Sequence, residues 1–304
     1  MPYNNREKKI GSYMFDKFSL KLSSEDKVHK EEQILKLRER YRDYQDPWGF
    51  NIDTVIEALN LTFPIYKKYF KIRIFGIENL EDKPYIFASN HTGQIPIDGM
   101  MITTAIAMEM DKPRVLHSMV DSFLAGFPFL GSLSAQTGSI LGDRGNCKWL
   151  LDKGESILVF PEGMKGITKS SHEFYDTRQF SNGFFRIALG QKTPIVPITV
   201  VGAEEMFPLV FHAKKLGKVL GLPTLPLTAN ILPLPSPIDI YIGKPYELPD
   251  HMSVDAQDKE IRVHVQKIEK QINEQLKNGL EKRRPFFDSV RKPLQDFLFK
   301  KGRS

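Results

Sequence analysis

One cysteine, Cys147, stands in 304 residues. It has no partner for an internal disulfide, which excludes a disulfide-stapled scaffold and points to a reducing compartment. No apolar run reaches the roughly 18 residues needed to cross a bilayer. The nearest, Val219 to Leu234, holds Pro223, Pro226 and Pro233 and cannot run as an uninterrupted helix. The first twenty residues are polar and basic, without the apolar centre of a secretory signal. A P-loop and an HExxH zinc motif are both missing. So is a Gly-x-Ser-x-Gly nucleophile elbow, because Gly131-Ser132-Leu133-Ser134-Ala135 lacks the final glycine. No internal repeat and no low-complexity linker occurs.

What is present describes a globular chain. Hydrophobic residues make up 41% and charged residues 26%, enough for a sizeable core and too few charges for disorder. The length fits two domains or one enlarged α/β domain with helical extensions. The net charge of +6 is concentrated at the ends. Residues 281–304 hold eight Lys/Arg against three Asp/Glu, and residues 1–50 hold eleven against nine, leaving the middle close to neutral. Basic ends suit nucleic acid, an anionic membrane or solubility alone. Phe286, Phe287, Phe297 and Phe299 in the same tail favour the membrane over nucleic acid.

Residues 24–45 read as a charged helix opening at Ser24 and stopped by Asp46-Pro47. Residues 53–71 read as a second helix, broken near Pro64. Short β-branched or aromatic runs then appear at 72–76, 85–88, 114–117, 157–160, 195–201 and 238–242. Helical stretches at 96–110, 121–132, 146–155 and 182–190 alternate with most of them. That alternation predicts an α/β fold with a mostly parallel central sheet flanked by helices, extended by helices at both ends. Residues 254–283 form a long amphipathic helix with Ile261, Val265, Ile268, Ile272, Leu276 and Leu280 on one face. Residues 203–237, rich in Pro and Leu, fit none of these patterns. In the tail, Phe286, Val290, Leu294 and Phe297 recur at helical spacing, and Pro293 splits them into two short basic helices.

Ligand sites in α/β folds gather at the carboxyl ends of strands, so the residues after each strand come next. After 85–88 comes Ser89-Asn90-His91-Thr92-Gly93-Gln94-Ile95-Pro96-Ile97-Asp98. Pro96 suits a first helical turn, which places His91 in the preceding loop and Asp98 at the helix start. The loop lets the carboxylate fold back onto the imidazole, fixing its tautomer and freeing the other nitrogen as a general base. Scaffolding for His91 and a helix-dipole role for Asp98 are the bland alternatives. Gly138-Ser139-Ile140-Leu141-Gly142-Asp143-Arg144 is a glycine-rich turn whose arginine suits a phosphate or a salt bridge with Asp143. Phe160-Pro161-Glu162-Gly163 carries a carboxylate at the tip of a turn, followed by Met164 and Lys165. Ile195-Val196-Pro197-Ile198 is a buried strand whose proline needs an edge or a bulge. Cys147 reads as a buried structural thiol in preference to an acyl-carrying nucleophile.

In this order and spacing, the four elements resemble the sequence blocks of the glycerolipid, or lysophospholipid, acyltransferase superfamily, over about residues 72–205. The departures are three. Six residues separate His91 from Asp98 where the family usually has four, a spacing similar to the branch related to monoacylglycerol and diacylglycerol acyltransferases. Leu141 replaces an aromatic, and Met164-Lys165 replaces Thr-Arg. The resemblance implies that His91, helped by Asp98, deprotonates an acceptor hydroxyl. It implies that Gly138, Arg144, Glu162, Gly163 and Lys165 serve the acceptor's polar head and that Pro197 belongs to the acyl-donor pocket. Loop N–H groups near Thr92 and Gly93 are the candidate oxyanion donors.

The expected activity is acyl transfer from acyl-CoA or acyl carrier protein, as co-substrate, to a glycerolipid hydroxyl such as that of a 1-acylglycerol-3-phosphate-like lysophospholipid. It needs no metal and no resident cofactor. The alternatives are a neutral-lipid mono- or diacylglycerol acyltransferase and a non-catalytic lipid-binding protein of the same fold. The expected organisation is a charged helical extension over 1–50, an acyltransferase domain over 51–250 and C-terminal amphipathic helices with a basic tail over 251–304. The expected setting is the cytoplasmic face of an anionic membrane, reached peripherally or monotopically.

Overall fold

Ser23 and Asp26 start the first helix, α1 (Ser24–Arg40), by a reciprocal cap. The Asp26 N–H donates to the Ser23 hydroxyl and the Ser23 N–H to the Asp26 carboxylate, so two donors stranded at a helix start are satisfied. This computed structural model describes residues 20–92, 97–121, 130–167, 169–207, 210–213, 225–228, 230 and 232–283. Helix α1 ends ahead of the expected stop, because Tyr41 turns its ring into the core. Asp46 then gathers the N–H groups of Trp48, Gly49 and Phe50 into a turn. Asn51 caps α2 (Ile52–Pro64). Pro64 does not break the chain's course there. Its missing N–H disfavours the regular ladder, and the chain passes it in a π-helical turn, Ile65–Tyr69.

The strands in chain order are β1 (Arg73–Phe75), β2 (Ile86–Ser89), β3 (Leu116–Val120), β4 (Ile140–Leu141), β5 (Ser156–Val159), β6 (Ile195–Val201), β7 (Val210–Ala213), β8 (Leu225–Thr228) and β9 (Asp239–Ile242). Strands β7 and β8 form an antiparallel pair of their own, and the other seven make one sheet in the order β1-β9-β6-β2-β5-β3-β4. Only β6 and β9 run antiparallel within it. The fold is therefore α/β with a mostly parallel sheet. Helices α3 (Ile97–Glu109), α4 (Leu130–Gln136), α5 (Arg144–Asp152), α6 (Met164–Ile167), α7 (Gly183–Gln191) and α8 (Asp258–Glu281) complete the described α-helices. Strand β4 has only two residues, too few for an alternation to show. The β7–β8 pair lies inside the Pro- and Leu-rich 203–237 stretch, whose composition has no period of two. The expected helix over 121–132 falls mostly at 122–129, outside the described residues. The two tail helices at 284–304 and much of the apolar 206–235 segment also lie outside them.

Strand side chains alternate between two cores. Phe87, Val196, Ile198 and Val200 point to the face covered by α1, α2 and α3. Ile86, Ala88, Ile157 and Ile195 point to the face covered by α5, α7 and α8. On α8 the expected stripe is buried at Ile261, Val265, Ile268, Ile272 and Leu276, while Leu280 at its end is half-buried. Each buried side chain contributes about 1.5–3 kcal/mol relative to exposure.

Pro197 sits on an interior strand, between β9 and β2, so the edge alternative does not apply. Its carbonyl accepts the Gly243 N–H at 2.8 Å, which turns this residue toward the β9 side and away from β2. Between the Ile195–Tyr246 bridge and the Ile198–Ile242 pair, residues 243–245 face only 196–197. That bulge accommodates a residue with no N–H.

Candidate active site

The sheet delivers two loops side by side at its carboxyl edge, because β2 and β5 are parallel neighbours. The loop after β2 is anchored first. The Asn90 amide donates to the Val200 carbonyl at 3.1 Å and its oxygen accepts the Val200 N–H at 2.8 Å, tying the loop to β6. His91 follows, and its Nδ1 lies 2.7 Å from Asp98 Oδ2. Asp98 is fully buried at the start of α3. The same Oδ2 accepts the Thr92 N–H at 2.8 Å and faces the Thr92 hydroxyl at 3.3 Å, while Oδ1 accepts the Gly99 N–H at 2.7 Å. A carboxylate so engaged is an acceptor. The proton between it and His91 therefore sits on Nδ1, leaving Nε2 with its lone pair. Nε2 takes no hydrogen bond among the described residues, and the His91 side chain stays 13% exposed. Its ring stacks on Phe160, with centroids 4.1 Å apart and planes 21° apart. The same carboxylate thus also accepts an N–H at the helix start, so its contact with His91 and its contact with the start of α3 occur together. Thr92 is spent on Asp98 and its N–H is not an oxyanion donor; Gly93 lies outside the described residues.

Glu162 follows β5 and points inward, with only 4% of its surface exposed. Its Oε1 accepts the His91 N–H at 2.9 Å and its Oε2 accepts the Arg178 N–H at 2.7 Å. Instead of presenting a carboxylate at the tip of the turn, it clamps the His91 loop from beneath. Lys169 approaches the same oxygen at 3.2 Å, the His91 carbonyl at 3.1 Å and Glu204 at 3.4 Å. Burial pushes the Glu204 carboxyl up to about 7, against the opposing pull of Lys169 and of the Tyr175 N–H that Glu204 also accepts. Gly166 closes the arrangement. A Cβ there would stand 2.9 Å from His91 Cβ and 3.0 Å from Glu162 Cβ, so only glycine lets α6 approach this closely.

The remaining expected residues spread across the edge. Gly163 takes a left-handed backbone and is exposed, and Lys165 is exposed on α6. Arg144 is exposed at the start of α5 and makes no side-chain hydrogen bond or ion pair among the described residues. Asp143 does not pair with it, because its carboxylate caps α5 through the Asn146 N–H at 2.9 Å. Strand β4 is three strand steps from β2, about 14 Å between backbones, so Arg144 stands well apart from His91 along the edge. Gly138 lies lower, at the level of His117 on β3. Its φ of +89° demands glycine, its carbonyl lies 3.2 Å from His117 Nδ1, and it does not join the carboxyl edge. Pro197 is buried in the sheet beside Ala88. Cys147 is buried against Met119, and burial pushes its thiol up to about 12. A thiol so reluctant to ionise is a poor nucleophile.

Asn90, Phe160 and Gly166 stand within or beside the sequence motifs without a role assigned there, and Lys169 and Glu204 lie outside them. Glu204 follows β6 directly, so the strand-end rule could have marked it. Lys169 carries no local signal, since its partners are set by the fold.

A family model described as Acyltransferase matches residues 71–201. An uncharacterised protein of Mycobacterium tuberculosis is 33% identical over 236 residues, covering 73% of this chain and 66% of its own length. A 1-acyl-sn-glycerol-3-phosphate acyltransferase of Chlamydomonas reinhardtii is 27% identical over 154 residues, 46% of this chain and 41% of its own. The crystal structure of a 1-acyl-sn-glycerophosphate acyltransferase from Thermotoga maritima aligns with a TM-score of 0.49 at 16% identity, over 72% of this chain and 79% of its own.

Proposed function

This chain belongs to the glycerolipid acyltransferase superfamily, and from that premise we propose that it transfers a fatty acyl group from a thioester to a glycerolipid hydroxyl. The donor is acyl-CoA or acyl carrier protein, and the acceptor is a lysophospholipid of the 1-acylglycerol-3-phosphate kind. The observation that carries the reading is the 2.7 Å contact between His91 Nδ1 and a fully buried Asp98. It leaves Nε2 able to accept a proton at the open edge of the sheet. In the reaction, Nε2 takes the acceptor's hydroxyl proton as its oxygen attacks the thioester carbonyl. The carbon–sulfur bond then breaks, and the thiolate leaves with the proton that His91 carried. Asp98 supports the imidazolium formed in between. General-base assistance supplies about 10²–10⁴-fold and positioning much of the rest.

Arg144 and Lys165 are the exposed cations at this edge suited to an anionic head group, Arg144 by a bidentate contact. The second reading, a mono- or diacylglycerol acceptor, is favoured by the six-residue spacing and by Met164-Lys165 in place of Thr-Arg. Met100 in the first turn of α3, Leu141 at the end of β4 and Met164 at the start of α6 are exposed. This supports attachment of the same edge to a membrane surface. Among the described residues no helix is long and apolar enough to cross a membrane.

The test is thiol release by purified protein supplied with an acyl thioester and a panel of acceptors on vesicles. The reading expects turnover that His91→Ala abolishes. With a phosphate-bearing acceptor, Arg144→Ala should lower kcat/KM by about 10- to 100-fold, the worth of a charge-assisted contact; with a neutral acceptor it should change little. Lipid binding without thiol release on any acceptor would leave only the lipid-binding alternative.

A further inference from the structure

Nothing in the local sequence marks Lys169, yet the fold buries its side chain to 4% exposure, with the ammonium where three oxygens converge. Those are the His91 carbonyl at 3.1 Å, Glu162 Oε2 at 3.2 Å and Glu204 Oε1 at 3.4 Å. The contact with His91 engages its main chain. The N–H of the same residue is held by Glu162 at 2.9 Å. Both polar groups of the His91 main chain are therefore gripped by the two members of one buried ion pair. A buried ammonium is costly unless it is well paired, and a hydrophobic replacement is often as stable. Stability alone is thus a weak reason for this lysine, whereas a fixed backbone at His91 is a strong one. A shift of 1 Å at a general base is worth about 10²-fold in rate.

We propose that Lys169 is a positioning residue for acyl transfer: by bridging the His91 carbonyl, Glu162 and Glu204, it holds the His91 main chain so that Nδ1 stays on Asp98 and Nε2 faces the acceptor hydroxyl. The assignment rests on the acyl-transfer reading above. Glu204 takes part by sharing the ammonium, and it is itself held by the Tyr175 N–H. The lysine does not touch the reacting atoms.

The experiment uses the full chain, with Lys169→Met and the paired variant Lys169→Met/Glu204→Gln, which removes the ammonium together with one of its two carboxyl partners. Imidazole ¹⁵N NMR without substrate reads the His91 tautomer, and thiol release reads kcat and KM. Wild type should show a single Nδ1–H tautomer for His91. Both variants should show a mixed population and a kcat lowered by about 10- to 100-fold, with KM for donor and acceptor little changed. Adding Lys169→Met to His91→Ala should slow the residual reaction no further, since the lysine acts through the histidine. A folded variant with the wild-type tautomer and wild-type kcat overturns the proposal. So does an equal loss in the presence and absence of His91, and so does unfolding of both variants, which would mark a stability role. If wild type releases no thiol from any thioester, the acyl-transfer reading fails, while the tautomer still decides whether Lys169 positions His91.

Discussion

Two histidines of this sheet stand beside carboxylates, and only one of them is placed for chemistry. His91 lies past the carboxyl end of β2, with Nδ1 2.7 Å from Asp98 and Nε2 unengaged among the described residues. His117 lies within β3, fully buried, with Nδ1 3.2 Å from the Gly138 carbonyl. Its Nε2 is 3.7 Å from Glu155 Oε2, an oxygen that already accepts the Tyr41 hydroxyl at 2.8 Å. Rings of Tyr44 and Phe50 stand beside it, with centroids 6.2 and 5.8 Å away. The two sites share residue types and differ in access. A histidine–carboxylate pair becomes a general base only where the second nitrogen meets a substrate, and a parallel sheet offers that place at its carboxyl edge.

The comparison is broken most sharply by alanine at each histidine. His91→Ala should lower kcat/KM by about 10²–10⁴-fold with little change in the urea midpoint. His117→Ala should leave kcat close to wild type while costing about 2–4 kcal/mol of stability, because it opens a cavity under Tyr44 and Phe50. Substantial turnover by His91→Ala, or a selective loss by His117→Ala, would reverse the assignment of the two sites. Asp98→Asn comes next, with an expected loss of about 10²-fold. The amide can donate to Nδ1 and so favours the wrong tautomer. A wild-type rate would leave Asp98 only its hydrogen bonds to the start of α3. Gly166→Ala should cost less, about tenfold in kcat, since its Cβ would press on the Cβ atoms of His91 and Glu162. A serine there should behave like alanine.

The smallest expected effect is on pH-dependent stability. Glu204 holds its proton in the folded state up to about 7, because burial opposes its charge, whereas its ordinary value is 4.5. Between those values the folded chain binds a proton that the unfolded chain has released. Its contribution to stability is therefore complete below about 4.5 and is lost as the pH rises through about 7. Glu204→Gln should flatten this slope in chemical denaturation measured across that window. An unchanged slope would assign the pH dependence to another group.

Much of the fold was readable in the order of the residues. The alternation of β-branched runs with helical stretches, the stripe on α8 and the position of His91 ahead of a helix are all local patterns, and local patterns survive in sequence. Strand β4 was lost because two residues show no period, and the π-helical turn after Pro64 because one proline does not say how a chain will pass it. The candidate site divides in the same way. His91 and Asp98 are seven positions apart and announce each other. Glu162 was visible as a residue but not as an inward clamp, since its direction depends on a loop 71 positions earlier in the chain. Pro197 was expected at an edge or a bulge, and only the register with β9 selected the bulge.

By itself, then, the sequence determined the α/β class and the placing of His91 and Asp98 together past the end of a strand. These follow from periodicity and from short-range spacing, which backbone geometry converts directly into structure. Only the tertiary structure decided which groups hold His91 in place. Lys169 meets the His91 carbonyl across 78 positions and Glu204 across 35, and Asn90 meets Val200 across 110. Such contacts arise when separate βα units are brought to one edge by strand pairing. Their residues carry no periodic mark, because what selects them is the neighbour that the sheet supplies.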